Sequence, residues 1–377
     1  MTGGESHGPS ITAVVEGMPA GLRLTAEDID RDLSRRQRGY GRGGRMKIET
    51  DRADISAGVR DETTLGSPIV MTIQNRDHAS WTDRMGAHAF ASKPEKLTRP
   101  RPGHADLAGG LKYDRADLRD ILERASARET AARTACGAVA RTLLAAIGIE
   151  VFAHVRQIGD VRASVTREGL RERSRASDLS CGDAEAEAKM RDAIKEASHA
   201  GDTLGGRFEV IATNVMPGLG SHVHWDRKLD GRLAQALMCI QAIKAVEIGD
   251  GFAASERPGS LVHDPIAYVD RRFVRASNHA GGIEGGITNG EDVVCCAAMK
   301  PIATLRRALM SVDVSTKEPF EAAFERSDIC AVAAASVVGE AMVALVLADA
   351  VLEKFGGDSM KELTRNVDGY RAQLESY

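Results

Sequence analysis

A chain of 377 residues with 43% hydrophobic content is long enough to bury one large core or two ordinary ones. Its net charge of −4 argues against a global nucleic-acid or membrane-surface role and leaves room only for local basic patches. Aromatic residues make up only 4%, so Ala, Val, Ile and Leu must fill the interior, which favours closely packed helices.

The six cysteines are Cys136, Cys181, Cys239, Cys295, Cys296 and Cys330, and none forms a C-x-x-C pair. Several sit in apolar stretches and read as buried thiols in a reducing, cytoplasmic setting, and the set is not a disulfide framework or a zinc site. The first eight residues hold no apolar h-region, so no signal peptide is expected.

Residues 9–24 alternate around a Gly-Met-Pro-Ala-Gly turn and predict a hairpin. Thr25 then caps a short helix to about Arg35. Residues 36–46, rich in Gly and Arg, predict an exposed, mobile loop. Residues 48–73 read as strands with turns at Gly58 and Gly66. Residues 76–116 show little periodicity, and a loop of that length in a compact domain is either functional or disordered. Residues 117–147 predict one Ala-rich helix closed by Gly148 at the C′ position, with small residues that admit a close partner. Strand follows over 151–166, then a helix capped by Asp183 and ended by Gly201, then strand over 207–215. Residues 226–244 predict an amphipathic helix. A Gly-rich block over 249–290 precedes a short apolar strand at 293–299.

The apolar segment 329–355 is interrupted by Glu340 and Asp349. Its charge-free runs are shorter than the roughly 18–20 residues a membrane span needs, so a buried core helix and no membrane partner are expected. After Gly356 the chain is polar and predicts a frayed terminus. No Pro/Ser linker divides the chain. The reading is one interwoven α/β (α+β) unit over 1–357 with a polar tail over 358–377.

Four segments bring together residues suited to chemistry. In Gly4-Glu5-Ser6-His7-Gly8-Pro9, a histidine stands in a loop whose glycines admit close approach; it serves either acid–base chemistry or local structure. Arg99-Pro100-Arg101-Pro102-Gly103-His104-Ala105-Asp106 sets two guanidiniums near a histidine, which suits a phosphate or carboxylate ligand or an exposed basic loop. Arg124 and Arg128, four apart on a helix, share a face. With Ser126 near a helix start they form either an anion site or a solvated surface. Asp328 in Arg326-Ser327-Asp328 stands where it caps the long helix.

The cluster Arg31, Arg35, Arg36, Arg38, Arg42, Arg45, Lys47 and Arg52 faces only Asp32, Glu49 and Asp51 within its span. It reads as a lid over a multiply anionic small molecule. Tyr40 alone offers little base stacking, so no nucleic-acid partner is expected. His222 and His224 form a pair without an evident third ligand, and no metal is expected.

In order and spacing, these segments resemble the chorismate synthase family from Gly4 to about Phe355. Gly4-Glu5-Ser6-His7-Gly8 with Glu16-Gly17-Met18-Pro19 resembles its amino-terminal signature. Residues 123–139, with Ser126-Ala127-Arg128-Glu129-Thr130, resemble the central one. Arg326-Ser327-Asp328 with Glu340-Ala341-Met342 resembles the third. Arg101 through Asp106, Val246 through Phe252 and Ser277 through Gly282 add family-like strings.

The resemblance implies a βαβ sandwich with helices between antiparallel-rich sheets, assembled as a homotetramer. It implies reduced FMN as cofactor, NADPH only as an external reductant, and 5-enolpyruvylshikimate 3-phosphate as substrate. The reaction is a 1,4-anti elimination of phosphate giving chorismate, a carbon–oxygen lyase step of the shikimate pathway. His7, with Ser6 beside it, then acts on the leaving phosphate. His104 stabilises the anionic flavin, while Asp328 and Ser126 serve proton loss at flavin N5. Flavin contacts fall to Arg124, Ala125, Ser126, Gln241, Ala242, Gly285, Lys300, Pro301, Ile302, Ala303, Thr304 and Arg326. Arg36 and Arg42 match nicotinamide-associated positions, and attraction of the substrate's anionic groups is the preferred role.

Three features depart from the family pattern. Only Met1-Thr2-Gly3 stands where the family has a short apolar strand. Ile329 replaces a proline after Asp328, which loosens the helix start and keeps the carboxylate. Ile302-Ala303-Thr304 offers fewer hydroxyls to the flavin phosphate.

Overall fold

The computed structural model describes residues 1–44, 48–323 and 327–377. Two antiparallel sheets enclose a helical layer. The first has strands β1 (Thr2–Gly3), β2 (Ser10–Val15), β3 (Ala53–Ala57) and β4 (Ile69–Gln74) in the order β1-β2-β4-β3. The second has β5 (Glu150–Ile158), β6 (Val161–Arg162), β7 (Gly206–Thr213), β8 (Ile243–Ile248) and β9 (Val293–Met299) in the order β8-β9-β7-β5-β6. Alternation in β2 and β4 turns Ile11, Ala13, Ile69, Met71 and Ile73 inward. Strand β9 is an unbroken apolar run, whereas β7 carries Arg207 and Glu209, the latter buried against His154 Nε2 at 3.0 Å.

The helices that position the site and core are α1 (Ala26–Gln37), α2 (Asp106–Tyr113), α3 (Arg119–Ala125), α4 (Thr130–Ala146), α5 (Ala184–Ala200), α6 (Leu229–Met238), α7 (Val332–Phe355) and α8 (Met360–Ser376), with shorter helices at Leu170–Ala176 and Phe252–Ser255. Helices α4 and α7 form the middle layer, with α4 against the first sheet and α7 against the second. Their approach is close because side chains are missing where they cross. A Cβ on Gly137 would stand 2.2 Å from Ala341 Cβ, and on the other face of α7 a Cβ on Gly339 would stand 2.5 Å from Phe208 Cε2 of the second sheet. By length and composition α7 could cross a membrane, with a hydropathy of 2.0, yet 72% of its apolar window is buried inside this molecule.

Local signals set several boundaries. Thr25 and Asp28 make a reciprocal capping box at α1, Asp183 accepts from two backbone N–H groups at α5, and Gly201 ends α5 in the left-handed region. Gly148 has a positive φ just beyond α4.

Other expectations are corrected. Residues 9–24 are no hairpin: β2 pairs with β1 and β4, while Ala20 and Arg23 bridge to Ser359 and Thr63. The helix expected over 226–244 ends at Met238, and Gln241-Ala242 forms a turn with Ala242 at φ +67° before β8. The helix expected over 117–147 breaks at Ser126, which adopts an extended conformation between α3 and α4. The polar tail is helix α8, capped by Ser359 and Glu362 and anchored by buried Leu363 and Val367. Asp328 does not cap α7, whose N-cap position is Ala331. The loop after α1 is tied down, since Gly41 O accepts from Ile329 N, and Arg36 is buried at the end of α1. Arg45 and Lys47 of the basic cluster lie outside the described residues.

Candidate functional site

A cavity of about 420 Å³ opens where the Gly4–Pro9 turn, the α3–α4 break, residues 101–105 and the end of β9 converge. Ser6, His7, His104, Ser126, Arg36, Arg42 and Asp328 all line it. Residues up to 322 apart in sequence therefore meet because the two sheets and the middle helices bring their loops to one end.

The His7 turn is held from two sides. Asn75, just past β4, donates through its side-chain amide to Glu5 O (3.1 Å) and Gly8 O (2.8 Å). Its Oδ1 accepts from Arg128 Nε at 2.7 Å. On the other side lies Glu123 of α3, which accepts from His7 N at 2.7 Å and contacts His7 Nδ1 at 2.9 Å. Arg119 Nη1 donates to the same carboxylate at 3.1 Å. Trp81 stacks on the imidazole, with centroids 4.0 Å apart and planes at 27°. Asp77 Oδ2 lies 3.9 Å from His7 Nε2. Burial works to raise the Glu123 carboxyl, but the His7 hydrogen bond and charge, with Arg119, hold it below its usual value.

His104 has a similar arrangement. Its Nδ1 lies 2.6 Å from Asp106 Oδ1, and Arg101 Nε donates to Asp106 Oδ2 at 2.9 Å. Arg101 Nη1 also donates to Thr304 Oγ1 at 3.0 Å. Asp106 is fully buried, yet hydrogen bonds from His104 and Arg101 overcome the desolvation and keep it well below the carboxylate range. Arg101 is thus a buried structural guanidinium, not a solvent-facing anion hook.

A third cluster floors the cavity. Asp51 accepts from Arg36 Nη2 at 2.6 Å and from Arg128 Nη1 at 2.5 Å. Burial favours its neutral form, but the two guanidiniums hold the carboxyl low. Asp328 Oδ1 accepts from Gly43 N at 2.6 Å, and its Oδ2 lies 3.2 Å from Arg42 Nε. The loss of the family's proline therefore leaves the Asp328 carboxylate fixed by backbone and charge. On the opposite wall, Lys300 Nζ donates to Gly103 O at 3.0 Å. Burial and Lys244 lower its ammonium below the ordinary lysine value. The side-chain oxygen of Gln241, Oε1, is buried and has no hydrogen-bond partner among the described residues, as is true of Arg36 Nε. Ser126 Oγ accepts from Arg128 N at 3.3 Å.

Of the anticipated contacts, Ala125, Gln241, Ala242, Lys300, Ile302, Ala303 and Thr304 line the cavity. Arg124 does not. The break at Ser126 separates it from Arg128, and its guanidinium donates to Thr2 Oγ1 (2.8 Å) and Gly4 O (3.1 Å). It pins β1, so the shared face expected for Arg124 and Arg128 is absent. Pro301 is exposed and does not line the cavity, and Gly285, in an exposed turn between Ile283–Glu284 and Ile287–Thr288, does not line it either. Arg326 lies outside the described residues. His224 is engaged by Asp226 at 2.7 Å.

Sequence reasoning gave no role to Asn75, Asp77, Trp81, Glu123 or Asp51. Trp81 carried one usable signal, being one of only two tryptophans in the chain. The others are polar residues whose partners lie far away in sequence.

The family model for chorismate synthase matches residues 1–352. A chorismate synthase of Geobacter sulfurreducens is 58% identical over 389 aligned positions, covering 100% of this chain and 99% of its own. One from Moorella thermoacetica is 57% identical, covering 100% of this chain and 98% of its own. A crystal structure of chorismate synthase superposes with a TM-score of 0.81 at 43% identity, covering 100% of this chain and 98% of that one.

Proposed function

The chain belongs to the chorismate synthase family, and on that premise we propose that its cavity binds 5-enolpyruvylshikimate 3-phosphate and eliminates phosphate to give chorismate. The observation behind this reading is the convergence of His7, His104, Ser126 and Asp328 on one cavity walled by buried cations. The reaction is a 1,4-anti elimination: the C3–O bond to phosphate breaks, a hydrogen leaves C6, and a new double bond forms with no net redox change. The enzyme is then a carbon–oxygen lyase of the shikimate pathway.

Reduced FMN is the cofactor in this reading. The residues suit it: Gln241 Oε1 is a buried acceptor that lacks a partner among the described residues, and it matches the N–H edge of a flavin ring. Gln241, Ala242, Ala125 and Ser126 would hold the ring, and Lys300 and Thr304 would hold the phosphate, with Ile302-Ala303 offering apolar contact in place of hydroxyls. When bound, the reduced flavin supplies electron density for phosphate departure and a basic N5 for the C6 hydrogen.

The chain's own groups do the rest. Arg36 and Arg42 attract the substrate's carboxylates and phosphate. His7 acts through Nε2 on the leaving phosphate, because its Nδ1 is engaged by Glu123, and Ser6 stands beside it. With a flavin bound, His104 would favour its anionic reduced form, and Asp328 and Ser126, which line the same cavity, would offer a carboxylate and a hydroxyl to a proton leaving the ring. NADPH enters this reading only as an external reductant. Homotetrameric assembly, a cytoplasmic location and a single catalytic unit over 1–357 complete the reading on family resemblance.

A flavin titration tests the cofactor site. FMN is expected to bind tightly only when the phosphate ester is present, because the substrate completes the cavity. An FMN affinity indifferent to the ester contradicts this arrangement.

A further inference from the structure

The geometry points to Glu123 as a positioning residue that fixes the tautomer and aim of His7. The inference rests on the reading of His7 as the group acting on the leaving phosphate. Glu123 grips this residue by both side chain and backbone. Its carboxylate lies 2.9 and 3.0 Å from Nδ1 and accepts from His7 N at 2.7 Å. Its own carbonyl accepts from Ser6 N at 3.0 Å. The side chain is 2% exposed, so these bonds meet little competition from water.

A carboxylate is an acceptor only. Facing Nδ1, it requires the proton there, and a ligand in the cavity is then addressed by Nε2. Trp81 blocks rotation of the ring by stacking at 4.0 Å, and it is itself flanked by the Arg119 guanidinium at 4.9 Å. Arg119 also donates to Glu123 at 3.1 Å, so carboxylate, arginine, indole and imidazole close one loop of contacts. A salt bridge serving stability alone would leave the tautomer of His7 irrelevant. Here the proton on Nδ1 decides the chemistry: with Nδ1–H bound to Glu123, a second proton on Nε2 can pass to the phosphate and leave a neutral ring, whereas a ring whose only proton sits on Nε2 has no such proton to give.

The test is Glu123→Gln, read by kinetics and by ¹⁵N NMR of the histidine rings, with His7 assigned by its absence from a His7→Gln spectrum. The amide keeps the size and an acceptor but can also donate to Nδ1, which releases the tautomer. Expected are a fall in kcat of about 10²-fold, the order of a general acid's contribution, with KM nearly unchanged. The His7 ring should gain the Nε2–H tautomer, while His104, held by Asp106, keeps its wild-type signals as a check on folding. Wild-type kcat in Glu123→Gln, or a lost kcat with an unchanged His7 tautomer, overturns the proposal. If Glu123→Gln does not fold, Glu123→Asp, with its carboxylate drawn back by one methylene, is read the same way. A wild-type protein that makes no chorismate overturns the reading of the reaction instead, and the tautomer measurement still decides whether Glu123 sets His7.

Discussion

A carboxylate shared by two buried guanidiniums costs desolvation on three groups, and Asp51 occupies that position between Arg36 and Arg128. Removing the carboxylate leaves two buried cations under the cavity, so Asp51→Asn should lose about 3–5 kcal/mol in denaturant unfolding at neutral pH. The sign of its pH dependence follows from its depressed pKa. Its contribution is fully present above the unfolded value of about 3.9 and is lost as pH falls through the lower folded value. Wild-type protein should therefore lose stability below about pH 4 more steeply than Asp51→Asn. Equal acid slopes for the two proteins would show that this carboxylate is not held low. At this scale the sequence was least informative. It displays Asp51 as one of three acids among eight bases, and only the fold decides which bases it meets.

At the scale of the element, the crossing of α4 and α7 sets the distance between the two halves of the cavity wall. Gly137 has no room for a side chain, because Ala341 Cβ and Cα would lie 2.2 and 2.4 Å from its Cβ. Gly137→Val should lower stability by at least the 1–3 kcal/mol or so typical of overpacking, with a lower Tm measured by calorimetry. It should also weaken flavin binding, since α4 follows within one turn of the Ser126 break. An unchanged Tm would mean that the helices separate at little cost. Periodicity and the run of small residues made this packing legible in advance. The break at Ser126 was legible only as an alternative, with Ser126 near a helix start, because the helix formers continue across it. What interrupts the helix there is tertiary: Glu123 is committed to the His7 turn and Arg128 to Asp51 and Asn75.

The whole molecule follows the same division. Caps and turn glycines announced α1, α5 and the end of α4, and an unbroken apolar run announced β9. Helix α8 was missed because its polar face dominates the composition, and only Leu363 and Val367 are buried. His7, His104, Ser126 and Asp328 were nameable through the family resemblance, yet Glu123 and Asp106, which hold the two histidines, and Asn75, which holds the His7 turn, were given no role there. Side chains acting through distant neighbours leave no local pattern. The account's central claim is that these groups serve one elimination, and product formation tests it most directly. Purified full-length protein is given 5-enolpyruvylshikimate 3-phosphate and FMN, anaerobically with dithionite or without reductant, and chorismate is quantified. The account predicts chorismate with equimolar phosphate only under reducing conditions; no chorismate with reduced FMN would contradict it.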